Sequence, residues 1–181
     1  MKAAEVMTRE VKTCGERDPL NRAARIMWEH DCGCVPVVSA DNRVIGILTD
    51  RDICMAAYTQ GLPLHAIKAE SAMARTVVSC SPDDEITTVE DLMRQNKVRR
   101  LPVVDKDGRL SGIVSLNDLA LEAERQRKAG GGELSGDEIS ETLRAICEAR
   151  SRVPGVFGFG PEPGELEFVP GPPPKRGPWR R

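Results

Sequence analysis

The chain has 181 residues, 26 Lys and Arg against 28 Asp and Glu, and a formal net charge of −2. That is the size of one compact domain with an appendage, or of two very small domains. It carries no global basic field for nucleic acid, no apolar run of about 18 residues for a membrane span, and no apolar leader in its opening MKAAEVMTREVKT. The expectation is a cytoplasmic protein with its six cysteines reduced. With only three Phe and one Tyr, its core must be aliphatic.

Residues 2–7 are expected to form a helical turn and residues 11–14 a short extended run. Asp18-Pro19 reads as N-cap and first helical position, and Leu20, Ala23, Ala24, Met27 and Trp28 follow at helical spacing to about His30. Residues 35–38 are a strand, Asp41-Asn42 a turn that tolerates left-handed backbone, residues 44–48 a second strand, and residues 50–59 a helix. The order is β-α-β-β-α. After a linker over 61–69 the same order returns. Residues 77–80 are a strand, Ser81-Pro82 a helix start, and Ile86, Val89, Leu92 and Met93 a buried stripe. Strands 101–104 and 110–114 are joined at Asp107-Gly108, and a helix runs over about 117–128. Gly130-Gly131-Gly132 then breaks the chain. Residues 137–150 have helical periodicity, and residues 154–181, dense in Pro and Gly, read as disordered.

The two halves are copies. Residues 4–57 align without a gap on residues 70–123 at a constant offset of 66, with fifteen of 54 pairs identical. Met7/Met73, Cys14/Cys80, Asp18/Asp84, Pro36/Pro102, Gly46/Gly112 and Asp52/Asp118 are among them. A gapless repeat is one supersecondary unit used twice, packed face to face. The fold class is therefore α/β (α+β), with pseudo-twofold symmetry. The domains are a first repeat over 1–60, the linker over 61–69 and a second repeat over 70–128. A Gly-rich linker and short helix cover 129–153, and the tail covers 154–181.

Two heptads carry chemistry, Gly46-Ile47-Leu48-Thr49-Asp50-Arg51-Asp52 and Gly112-Ile113-Val114-Ser115-Leu116-Asn117-Asp118. Each is a strand end, a hydroxyl, and an Asp three residues later at a helix start. Structurally this is a capping box. Chemically it is also what a ribonucleotide needs: free N–H groups and a positive dipole end attract phosphate, the hydroxyl can donate to it, and the carboxylate can accept from vicinal ribose hydroxyls. The Gly lets a ligand or another strand come close.

The doubled order of Met7 and Met73, Val35-Pro36-Val37-Val38 and Leu101-Pro102-Val103-Val104, and the heptads ending in Asp52 and Asp118 resembles a tandem CBS-domain (Bateman) module over roughly residues 1–125. The stretch from Glu29 to Pro36, with residues 49–53, is similar to small stand-alone bacterial CBS pairs of the hypoxic-response type. The resemblance implies two inter-repeat clefts for AMP, ADP, ATP or a related adenosyl ligand. Asp52 and Asp118 would hold ribose, and Thr49 and Ser115 would approach phosphate. Thr13-Cys14 and Ser79-Cys80 would meet adenine through backbone groups, and Val35-Pro36 and Leu101-Pro102 would form apolar walls. It implies a non-catalytic regulatory protein with no required cofactor, the adenosine nucleotide being a regulatory ligand. A homodimer is expected, signalling to a protein partner through the C-terminal helix or tail.

The copies differ beside these sites. Arg99-Arg100 stands where the first repeat has Gly33-Cys34, and Asp50-Arg51 where the second has Leu116-Asn117. Arg binds phosphate bidentately, so the cleft of Arg100, Ser115 and Asp118 is expected to bind more tightly; Arg51 is the first repeat's candidate. Trp28, opposite Arg94, breaks the symmetry and suits an interface. His30-x-Cys32-x-Cys34 invites a metal reading, but no second cluster completes four ligands, so no metal is expected. The alternative function is a CBS-shaped structural or redox- or metal-responsive dimer that binds no nucleotide. The basic end, Lys175-Arg176 and Arg180-Arg181, reads as a solvated tail.

Overall fold

The structure, a computed structural model, describes residues 1–148. The expected tail over 154–181, its basic end and the last residues of the expected C-terminal helix lie outside the described residues. In chain order the elements of the first repeat are α1 (Ala3–Val6), β1 (Cys14–Gly15), α2 (Leu20–Glu29), β2 (Cys34–Val38), β3 (Val44–Thr49) and α3 (Asp50–Gln60). Two short 3-10 turns, Leu64–Ala66 and Ala69–Ser71, bridge to α4 (Ile86–Asn96), β4 (Arg100–Val104), β5 (Leu110–Ser115), α5 (Leu116–Lys128) and α6 (Gly136–Cys147).

In the first repeat β1 pairs parallel with β2 and β2 antiparallel with β3, and the register slips between Val37 and Val38. In the second, β4 and β5 pair antiparallel with the same slip between Val103 and Val104. There the counterpart of β1 shrinks to a parallel bridge, Cys80 to Val103, in place of the strand expected over 77–80. Asn42 (φ 63°) and Gly108 (φ 76°) take the left-handed backbone that the two turns require.

The pseudo-twofold is written in paired hydrogen bonds. Val44 N donates to Gly108 O at 3.1 Å and Leu110 N to Asn42 O at 3.0 Å. Thr8 and Ile113 exchange two backbone bonds, and Ala74 and Ile47 exchange the equivalent two. The segment that opens each copy thus lies on the sheet of the other copy. Met7 packs in the core of Val89, Met93, Leu101, Val103, Val114 and Leu119. Met73 packs in the core of Leu20, Met27, Val35, Val37, Leu48 and Ile53. Both cores are aliphatic, as the composition requires.

This exchange corrects the expected helix starts. Neither Asp18-Pro19 nor Ser81-Pro82 begins a helix as cap and first residue; the caps are Pro19 and Glu85, without a side-chain cap bond. The first helical amides are satisfied from the opening segments instead: Leu20 N donates to Ile67 O at 2.8 Å and Ile86 N to Met1 O at 3.0 Å. The carboxylates of Asp18 and Asp84 are spent earlier, each accepting at 2.8 Å, from Gly15 N and from Ser81 N.

Candidate functional site

Thr49 ends β3 and caps α3 from an extended backbone, φ −115° and ψ 165°. Asp52 Oδ2 accepts from Thr49 N at 2.8 Å and from Thr49 Oγ1 at 2.7 Å, while Asp52 N donates back to Oγ1 at 3.3 Å. Ser115 and Asp118 repeat this at 2.7, 2.7 and 3.3 Å. All four residues are half-buried. Both carboxylate bonds fall on Oδ2, so Oδ1 of each Asp has no hydrogen bond among the described residues. Register places Cys34 opposite Thr49 and Arg100 opposite Ser115, so each strand start lies beside its helix N-terminus.

Thr13 and Ser79 are half-buried, whereas Cys14 and Cys80 are 2 % and 3 % exposed. Cys80 N donates to Pro102 O at 3.1 Å and Val104 N donates to Cys80 O at 2.9 Å, so the sheet already uses that residue's backbone. Val35 and Leu101, expected in the apolar walls, are fully buried in the cores of their own repeats. Strand alternation explains why: Val35 and Val37 point to the core, and Pro36, like Pro102, faces the other way. Arg51 is exposed.

Arg100 is half-buried, and its guanidinium crosses to the first repeat, lying over Gly33, where a Cβ would stand 3.1 Å from Nη2. Gly33 is a residue that motif reasoning passes over; its only sequence signal is that its counterpart is Arg99. A cleft of about 510 Å³ is lined by Lys12, Thr13, Asp18, Pro19, Arg22, Arg25 and Ile26. Of the expected contacts it includes only Thr13. Its three cations are private to the first repeat, because their counterparts are Val78, Thr88 and Asp91.

Burial pushes the thiols of Cys14, Cys34 and Cys80 up to about 11, which keeps them protonated and unreactive at neutral pH. Cys54 and Cys147 are exposed. Among the described residues no group of three or more His, Cys, Asp or Glu is placed to hold a metal ion, and His30, Cys32 and Cys34 form no such group. No helix among them is long and apolar enough to cross a membrane.

Two copies of one α/β unit, exchanging their opening segments and each ending a strand in a hydroxyl–Asp helix cap, define a tandem-repeat α/β module. The chain belongs to the CBS domain family, which matches residues 3–58 and 69–124. Hypoxic response protein 1 of Mycobacterium tuberculosis (strain H37Rv) is 34 % identical over 145 residues, 80 % of this chain and 93 % of that protein. The crystal structure of Hypoxic Response Protein I with two coordinated zinc ions matches with a TM-score of 0.62 at 33 % identity, covering 67 % of this chain and 98 % of that one. The CBS domain pair of protein MJ0100, in complex with 5'-methylthioadenosine and S-adenosyl-L-methionine, matches at 0.62 and 24 % identity, covering 67 % and 94 %. A homoserine O-acetyltransferase of Methanohalobium evestigatum is 30 % identical over 117 residues, 65 % of this chain but only 23 % of that enzyme.

Proposed function

We propose that the protein is a non-catalytic sensor that binds an adenosine nucleotide at its two hydroxyl–Asp helix starts and signals by a shift in conformation or assembly. One observation carries this reading: Thr49/Asp52 and Ser115/Asp118 hold the same three bonds to within 0.1 Å of one another at matched positions of a gapless repeat. In each, Oδ1 points at no donor and suits ribose, and the helix N-terminus suits phosphate. Adenine would then meet Thr13 and Ser79, since their cysteine neighbours are buried. The MJ0100 pair speaks for the capacity of the fold, not for these side chains.

The same carboxylates also support the rival reading, a CBS-shaped dimer without nucleotide, because Oδ2 of each is already used in capping. Thermal shift of the full chain with AMP, ADP, ATP, NAD and S-adenosylmethionine separates the two. Ligand at about 100 times its Kd adds about 2.7 kcal/mol to stability, a shift of several degrees. Silence with all five supports the rival. As a sensor the chain works by population shift, the ligand favouring one arrangement that a partner reads. Met55, Tyr58 and Leu62, exposed along and beyond α3, are the side chains on which a second copy would close a homodimer.

A further inference from the structure

We propose that Arg100, a residue of the second repeat, is the phosphate-binding cation of the first repeat's site, and that Gly33 is the residue that admits it. The assignment rests on the nucleotide reading above and goes beyond it by saying which site prefers a charged ligand. Register alone would give Arg100 to Ser115, its partner across β4 and β5. Its guanidinium reaches across to the first repeat: Nη2, Cζ and Nη1 lie 3.1, 3.6 and 3.8 Å from where a Gly33 Cβ would stand. Gly33 precedes Cys34, which pairs with Thr49 at the start of α3. The charges that act on the buried Cys34 thiol include Arg100 and, in the first turn of α3, Asp50.

Half-buried, this guanidinium makes no hydrogen bond or ion pair among the described residues, although it carries five donors. A phosphate would satisfy two of them in one bidentate contact and would also meet the amides of α3. The arrangement is not reciprocal. The counterpart of Arg100 is Cys34, a buried thiol, so that position sends no cation in return to Ser115 and Asp118. The residue in the first repeat that would block the crossing, the counterpart of Arg99, is a glycine. The Thr49/Asp52 site should therefore prefer AMP to adenosine, and the Ser115/Asp118 site should discriminate weakly between them.

Calorimetry of the full chain with AMP and with adenosine tests this in single-site variants. Asp118→Ala keeps the first site and Asp52→Ala keeps the second. Arg100→Gln is expected to weaken AMP about tenfold or more in the Asp118→Ala background and to change it by no more than about twofold in the Asp52→Ala background. Gly33→Val should mimic Arg100→Gln at the first site by excluding the guanidinium while keeping its charge, and Arg100→Lys should restore part of the loss. If Asp118→Ala fails to fold, Arg100→Gln in the otherwise unaltered chain should remove the tighter of two AMP-binding events. Equal losses in both backgrounds, a larger loss at the second site, or a neutral Gly33→Val would overturn the assignment and leave the nucleotide reading standing. An unaltered chain that binds neither ligand would overturn both.

Discussion

At the residue scale, the glycine of each heptad has a use that its sequence left open between a ligand and another strand. A Cβ on Gly46 would collide with Met73, and one on Gly112 would lie 2.6 Å from Met7 Sδ and 2.9 Å from Thr8 O. The space belongs to the opening segment of the opposite copy. A methionine side chain can swing aside, but the Thr8 carbonyl is fixed by its bond from Ile113 N. Gly112→Ala is therefore expected to cost about 1–3 kcal/mol by overpacking, and Gly46→Ala clearly less, as read from urea midpoints at unchanged slope. The hydroxyl–Asp pairs were legible as capping boxes because four neighbouring residues contain the whole motif. Ser115→Ala, which strips the acceptor for Asp118 N, should cost about 0.5–2 kcal/mol whether or not nucleotide is present. A loss that appears only with ligand would remove the capping role.

At the element scale, α6 owes its seat to a buried polar cluster. Glu90 is 2 % exposed and Thr142 fully buried, and Thr142 Oγ1 donates to Glu90 Oε1 at 3.2 Å while accepting from Arg94 Nη1 at 3.2 Å. Leu134 N donates to Gln126 Oε1 at 3.1 Å, and the N-terminal ammonium pairs with Glu85 and Glu133. Burial pushes the Glu90 carboxyl up, with Glu138 and Asp91 adding repulsion and the Thr142 bond and Arg94 opposing it. A carboxyl whose folded value lies above its unfolded value stabilises fully below the unfolded value and loses that contribution as pH rises through the folded one. Glu90→Gln should therefore raise the Tm at neutral pH, and the gain should vanish below about pH 4. Thr142→Val should cost about 1–3 kcal/mol by orphaning the buried carboxylate. Periodicity announced α6 from Ile139, Leu143 and Ile146, but it placed the end at 150, where the described helix stops at Cys147. The starts of α2 and α4 were misread for a physical reason: their first amides are satisfied by Ile67 and Met1, partners 47 and 85 residues away, and no local pattern records them.

At the scale of the whole molecule, the unit that repeats in sequence is not the unit that packs. The offset of 66 exposed the symmetry, because identical spacing survives any arrangement of the copies, but it was silent on the exchange. Ala3 and Met7, 0 % and 9 % exposed, complete the core of the second repeat, and Ala69 and Met73, 0 % and 7 % exposed, complete that of the first. Truncating either methionine to Ala should cost about 2–5 kcal/mol in transfer and cavity terms. The location of the damage is the sharper readout, because amide exchange reports sub-global opening segment by segment. Met7→Ala is expected to speed exchange in β4, β5 and α4 while sparing β2 and β3. Met73→Ala should do the reverse, loosening β2, β3 and α2, although Met73 stands at the head of the second copy. If each substitution loosened its own copy in the order of the sequence, the opening segments would not be exchanged, and the paired bonds Thr8–Ile113 and Ala74–Ile47 would not be what joins the two halves.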